Sequence, residues 1–310
     1  MKKYLLATAT AATLFTSAAS AETIGVAMSL FDDNWLTVLR ENMQAHAATL
    51  DGVTLQMEDA GGDISRQQSQ IENFIASGVD GIIVMLVDAD SGQAMSAQAA
   101  SAGIPLVFVN LMPPNGESLP DRQAWVGSDE VLAGTLQAQE MCRMLGGEGE
   151  AVMLLGQLGT SGQRGRTEGV HTVLETPECS GITIADEQTA NYMRTPGLDL
   201  MTNWLTSGMQ IDAVFSNNDE MALGAIQALK AAGVPMDEVI VGGVDATRDA
   251  LAAMAMGDLD VTVFQNAKGQ GVGAVDTVLR IIHDEPYEKN AFIPFELVTP
   301  ENLSEYETLN

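Results

Sequence analysis

A chain of 310 residues, 46% apolar and 18% charged, carries enough apolar material for two ordinary domains. Its formal net charge of −28 would repel nucleic acid and anionic lipid, and its acids are scattered rather than blocked, so disorder is not implied. After the N-terminal segment no run of about 18 apolar residues occurs, so no membrane insertion is expected.

Met1-Lys2-Lys3 is a short positive region, Tyr4 to Thr16 is mostly apolar and small, and Ala19-Ser20-Ala21 fits a small-x-small cleavage rule. Residues 1–21 therefore read as a secretory signal peptide, with Glu22 as the mature start. No Cys stands at the cleavage point, which argues against a lipoprotein. Cleavage would remove Lys2 and Lys3 and make the charge two units more negative, an acidity that solubility or a saline habitat explains.

Thr23 to Leu30 is a buried-strand run broken by Phe31-Asp32-Asp33-Asn34-Trp35, and Trp35 to Leu50 has helical periodicity. Val53 to Met57 is a second strand, followed by a helix from Ser65 to Ser77. Gly81 to Val87 is a third strand, then a helix to Ala102, then a fourth strand, Ile104 to Val109, ending at Asn110. Strands alternate with helices at steps of roughly 25–30 residues, the rhythm of a parallel sheet covered on both faces.

A Pro-containing segment, Pro113 to Pro120, precedes Trp125 to Asp129, which opens a second series. Helix Val131 to Leu145 leads to strand Ala151 to Leu155, and Gly156 to Arg166 is a turn leading into a helix that ends near Leu174. Strand Ile182 to Ala185 and helix Pro196 to Leu205 follow. The run Val214-Phe215-Ser216-Asn217-Asn218-Asp219 then reads as a strand and sharp polar turn before a helix, with Asp219 able to cap that helix. Strand Val239 to Val244, helix Ala246 to Met256, strand Val261 to Phe264, a helix from Lys268 to Ile282 and a strand Phe292 to Leu297 complete the chain.

Two similar α/β halves imply two Rossmann-like lobes with parallel sheets, a hinge and a cleft between them. Crossings near Ser128, Asn266 and Pro294 give lobes of 22–127 plus 267–293 and 128–266 plus 294–310. Cys142 and Cys179 both fall in the second half. In an oxidising compartment one disulfide between them is expected, two buried free thiols being the alternative, and the absence of a neighbouring His cluster speaks against zinc.

In open α/β sheets ligands bind at the carboxyl ends of the strands. The first half delivers Asp32, Asp33, Trp35 and Asn110 to that edge; the second delivers Arg166, Tyr192, Asn218, Asp245 and Gln265. Carboxylates, amides and a guanidinium can serve the donors and lone pairs of a hydroxylated ring, while aromatic faces cover its C–H faces.

With these residues the chain, over about residues 23 to 300, resembles the type I periplasmic sugar-binding proteins of the ribose/galactose class. Ile24-Gly25-Val26 to Asp32-Asp33-Asn34-Trp35 is similar to the first strand and ligand loop of glucose/galactose-binding members. Gly159-Thr160-Ser161 to Arg164-Gly165-Arg166 resembles the ribose-binding pattern, and Asn217 to Ala225 and Gly243-Val244-Asp245-Ala246 are shared across the class. Glu187 to Thr195, Asp199 to Leu205 and Asp260 to Asn266 are closer to the inositol- and rhizopine-binding subgroup.

The resemblance implies that Asp33, Asn110, Arg166, Asn218, Asp245 and Gln265 hydrogen-bond a ligand, and that Trp35 and Tyr192 sandwich it. It further implies a monomer in the periplasm that hands a sugar or polyol to an ABC permease and, through it, to the ATPase. A glucose/galactose- or ribose-type protein also serving chemotaxis is the alternative. The His and Asp that the galactose type places before its Arg fall here near Thr160 and Gly162. The segment Leu145 to Glu150 lacks the alternating oxygen ligands of a calcium loop, so neither metal nor cofactor is expected. Asp32 and Asp129 read as caps or hinge groups, Arg164 and Arg194 as surface groups or groups that support the ligand contacts from behind, and Met254 to Met256 as core. A carbohydrate-active enzyme using Asp33 and Asp245 is the rival of another class; no Walker loop, nucleophile elbow or His-Glu-x-x-His supports an enzyme.

Overall fold

The computed structural model describes residues 21–309; the segment read as a signal peptide lies, apart from Ala21, outside the described residues. In chain order the first elements are β1 (Glu22–Met28), α1 (Asn34–Ala47), β2 (Val53–Asp59), α2 (Ile64–Ser77), β3 (Gly81–Val84), α3 (Gly92–Ala102), β4 (Leu106–Val109) and β5 (Gln123–Gly127). The middle of the chain forms α4 (Glu130–Leu145), β6 (Glu148–Leu155), α5 (Ser161–Leu174), β7 (Gly181–Thr189), α6 (Arg194–Thr206), β8 (Ala213–Ser216) and α7 (Asp219–Ala231). The last elements are β9 (Ile240–Gly242), α8 (Arg248–Ala255), β10 (Thr262–Gln265), α9 (Ala267–Ile282), β11 (Asn290–Phe292) and β12 (Phe295–Val298).

One six-stranded sheet has the order β11-β5-β4-β3-β1-β2, parallel throughout. A second, β7-β6-β8-β9, is also parallel, and bridges Gly242–Val261 and Asp245–Phe264 continue it to β10, which pairs antiparallel with β12. The fold is therefore α/β with parallel sheets, as the alternation of apolar runs and helical periods requires. Helix α9 packs its Ala274, Val275, Val278 and Ile281 into the core of the first sheet, although it follows β10 in sequence. The chain passes between the two layers at Ser128–Asp129, at Asn266 and at Ile293–Pro294.

The polar residues at the strand ends cap the helices behind them. Asp33, Asp63, Asp129, Thr160, Asn218, Thr247 and Asn266 each accept a backbone N–H of the first turn of α1, α2, α4, α5, α7, α8 and α9 respectively. Asp219 is thus not the cap of α7. Asn218 takes that place, and Asp219, wholly buried, turns away to accept from Thr247 N–H at 2.8 Å and from the Thr262 hydroxyl at 2.7 Å.

Three further readings change. The strand expected over Phe292 to Leu297 is two strands in different layers, because Pro294 has no N–H for a ladder and the chain leaves one sheet there for the other. The strand expected to stop at Ala185 continues to Thr189, its polar residues standing on the exposed edge of the sheet. Met254 is core, but Met256, one residue past α8, is 70% exposed. Cys142 and Cys179 form a disulfide with Cα atoms 5.7 Å apart, tying the last turn of α4 to the segment before β7. Closing a loop of 37 residues contributes about 3–4 kcal/mol in the chain-entropy account. Among the described residues no helix is long and apolar enough to cross a membrane.

Candidate functional site

The site is built around Arg166, on the second turn of α5 and 5% exposed. Its Nε donates to Glu130 Oε2 at 2.7 Å, Nη1 donates to the Asn217 carbonyl at 2.7 Å, and Nη2 donates to Gln265 Oε1 at 3.4 Å. Nη1 also lies 3.6 Å from Asp245 Oδ1. The guanidinium is therefore locked in one plane by groups from α4, β10 and the turns after β8 and β9. Burial by itself would lower its pKa, but the neighbouring Glu130 and Asp245 outweigh that and hold it raised, so it is a permanent cation.

Close helix packing makes this arrangement attainable. A Cβ at Gly134 would run into the Arg166 backbone, and one at Gly165 would lie 2.6 Å from Glu130 Cβ. Glycine at both positions lets α4 and α5 touch backbone to backbone, which is what brings the Glu130 carboxylate to Arg166.

Asp245 is buried, and its backbone holds φ at 120°, a region that favours glycine and costs a residue with a side chain on the order of 1–3 kcal/mol. Its carboxyl is pushed well above the ordinary range by burial, with Arg166 opposing the shift and Asp219, Asp33 and Glu130 adding to it. Asp219 is pushed up to about 7, again chiefly by burial, against hydrogen bonds from Thr247 and Thr262. Gln265 is buried at the end of β10, and its backbone carbonyl accepts from Trp35 Nε1 at 3.0 Å. Trp35 stands on α1 against the first sheet, so this bond links the two layers.

Tyr192 has φ of 62° and follows Asn191 with φ of 54°. Its hydroxyl lies 3.0 Å from Thr160 Oγ1, and burial raises its pKa to about 12, so it stays protonated. Asn218 spends its side chain capping α7 and donating to the Tyr192 carbonyl at 3.2 Å. Asp33 caps α1 and is raised by burial and then by Glu220, while its own charge is felt at Asp245. Asn110, with φ of 66°, sits in a separate network: its amide donates to Gln270 at 3.2 Å, and Gln270 donates to Ser128 at 3.0 Å.

The structure thus brings Arg166, Asp245, Gln265 and Tyr192 into one cluster, reaches Trp35 across to it, places Asp33 within its field, and holds Asn110 and Asn218 through other partners. Sequence reasoning missed Glu130. In a chain with 42 acids, an acid after a cap looks like a surface group; only the glycines of α4 and α5 hinted at so close a helix pair. Arg194, read as a surface or supporting group, forks onto Glu220 at 2.8 Å from both Nε and Nη2, and Glu220 accepts from Asn34 of the other layer at 2.8 Å.

Residues 24–286 match the family model described as periplasmic binding protein domain. The chain is 56% identical over 310 residues to a Rhizobium meliloti protein named "putative rhizopine-binding protein", covering 100% of both. It is 34% identical over 289 residues to the xylitol-binding protein of Mycolicibacterium smegmatis, covering 93% of this chain and 80% of that one. Among solved structures, an ABC transporter solute binding protein of Bacillus halodurans with bound myo-inositol superposes with a TM-score of 0.89 at 42% identity, covering 95% of this chain and 100% of that one. Two parallel α/β layers crossed three times by the chain, together with a family match spanning most of its length, make this protein a member of the periplasmic binding protein family.

Proposed function

We propose that the chain is the periplasmic solute-binding component of an ABC importer and captures a cyclic polyol or sugar, inositol- or rhizopine-like, by hinge closure. The lobes are residues 22–127 plus 267–293 and 128–266 plus 294–310. The observation that carries this reading is the locked Arg166 cluster, to which Trp35 reaches from the other layer. A preorganised fork of donors beside buried carboxyl groups suits adjacent ring hydroxyls, each of which both donates and accepts. Arg166, Asp245, Gln265 and Asn218 would bind from the second lobe, Asp33 and Asn110 from the first, with Trp35 and Tyr192 on the ring faces. The relatives named for rhizopine and xylitol, and the structure holding myo-inositol, support a polyol over an aldose.

Capture does not require chemistry: the guanidinium, amides and carboxyl groups grip the ring, and the loaded monomer passes it to a permease driven by its ATPase. Export through the N-terminal signal peptide would place the protein in the periplasm. Calorimetric titration with inositols, inosamines, aldopentoses, hexoses and sugar alcohols tests the reading. A cyclic polyol at 100 times its dissociation constant should stabilise the fold by about 2.7 kcal/mol and be recovered unchanged. Binding of neither polyol nor sugar, or conversion of the bound molecule into product, would overturn it.

A further inference from the structure

We propose that Gly156 and Gly162 determine ligand specificity, because their missing side chains admit the Tyr192 ring as a fixed wall of the site. This inference rests on the polyol-binding reading above. A Cβ at Gly156 would overlap the Tyr192 ring, and a Cβ at Gly162 would lie 2.9 Å from its hydroxyl. That same point beside Gly162 is 3.8 Å from Arg166 Nε and 3.8 Å from Glu130 Oε2. The tyrosine therefore fills the space that two ordinary residues would occupy, and its hydroxyl ends next to the locked ion pair.

The ring is held there by its own turn. Asn191 and Tyr192 both take the left-handed conformation, with φ of 54° and 62°. Asn218 donates to the Tyr192 carbonyl, and the Thr189 hydroxyl donates to the Gly156 carbonyl at 2.7 Å, tying the turn to the loop it covers. Thr160 fixes the hydroxyl. Its single proton goes to the Gln157 carbonyl at 2.9 Å, so at the 3.0 Å contact Tyr192 must be the donor. The tyrosine oxygen is left with lone pairs only, an acceptor beside Arg166 for one ligand hydroxyl. A wall of this kind suits an unsubstituted ring and leaves little room for a substituent on the side it covers.

The test compares Tyr192→Ala, Gly162→Ala and Thr160→Val with the wild type, titrating each with myo-inositol and with an O-methylated inositol. Tyr192→Ala should weaken myo-inositol by about tenfold or more while sparing or improving the methylated ring, shifting the affinity ratio by at least about tenfold. Gly162→Ala should shift it in the same direction by displacing the hydroxyl. Thr160→Val, which keeps the volume but removes the tyrosine's acceptor together with the cap of α5, should weaken myo-inositol through a freed tyrosine. A merely structural role for Tyr192 would lower both affinities equally. A ratio constant within about twofold in all three variants would overturn the inference. If the wild type bound neither cyclic polyol nor sugar, the proposed function would fail and this inference with it; if it bound a sugar but no inositol, or bound an inositol and the ratio held, this inference alone would fail.

Discussion

Arg166 directs its fork at the protein itself: Glu130 takes Nε, Asn217 takes Nη1 and Gln265 takes Nη2. Orienting the guanidinium in advance means a ligand need not pay for ordering it. The same burial makes the pair fragile. Arg166→Ala would strand the Glu130 carboxylate inside the protein, and we expect a loss of about 3–5 kcal/mol in denaturant unfolding together with loss of polyol binding. An unfolding midpoint unchanged by that substitution would mean the ion pair is not buried as described. Asp219 supplies a pH signature. Its folded pKa is raised from 3.8 to about 7, so the native state holds a proton that the unfolded chain releases earlier. The stabilisation from this group is full below about pH 4 and disappears as the pH rises through about 7, at up to about 1.4 kcal/mol per pH unit. The Asp219 charge helps to raise Asp245, so the two protons leave in two steps that belong to the pair rather than to either residue. Scanning calorimetry from pH 4 to 8 should show Asp219→Asn with a shallower decline than the wild type; parallel curves would remove Asp219 from the account.

Helix α4 does two things with one stretch of backbone. Its first residue, Glu130, orients Arg166, while Gln137 donates to the carbonyls of Ser216 at 2.8 Å and Gly243 at 3.0 Å, pinning together the ends of β8 and β9 that carry Asn218 and Asp245. Both depend on α4 lying hard against α5 and the sheet. Gly134→Ala places a methyl group on the Arg166 backbone and should cost about 1–3 kcal/mol by prying α4 from α5. Ligand affinity should fall with it although residue 134 touches no ligand. Full affinity in a folded Gly134→Ala protein would show that the pair tolerates helix separation. The loop after β9 bears the opposite kind of constraint: Asp245 at φ of 120° is held there by bonds of its backbone to Val263 and Gln265, so the strain is borne by the sheet.

At the scale of the whole molecule, hydrogen bonds among the described residues run between the layers from Asn34 to Glu220, from Trp35 to Gln265 and from Met112 N–H to Ser161 Oγ at 3.3 Å. Hydrogen bonds of this kind exchange with water at about 0.5–1.5 kcal/mol each, small enough for a ligand to decide whether they form. Under the proposed hinge mechanism, small-angle scattering should give a smaller radius of gyration with saturating polyol than without, and Glu220→Gln should shift the unliganded protein toward the larger value. A radius indifferent to ligand would count against closure.

The alternation of apolar runs with helical periods was enough to establish parallel α/β layers, since only strands covered on both faces read as unbroken apolar stretches. Spacing also located the strand ends, where Asp33, Arg166, Tyr192, Asn218, Asp245 and Gln265 accumulate, because a polar turn after a buried strand is visible in a single dimension. Which of those groups meet was not legible. Asn218 and Asp219 are neighbours in sequence, yet one caps a helix and the other is buried against Thr247 and Thr262, a choice made by the packing of β10 beside β9. Glu130 looked like one acid among many, and only the backbone contact of two helices makes it the partner of Arg166. Local propensity is written residue by residue, whereas the partner of a buried charge is set by segments 36 residues or more apart that tertiary packing alone brings within bonding distance.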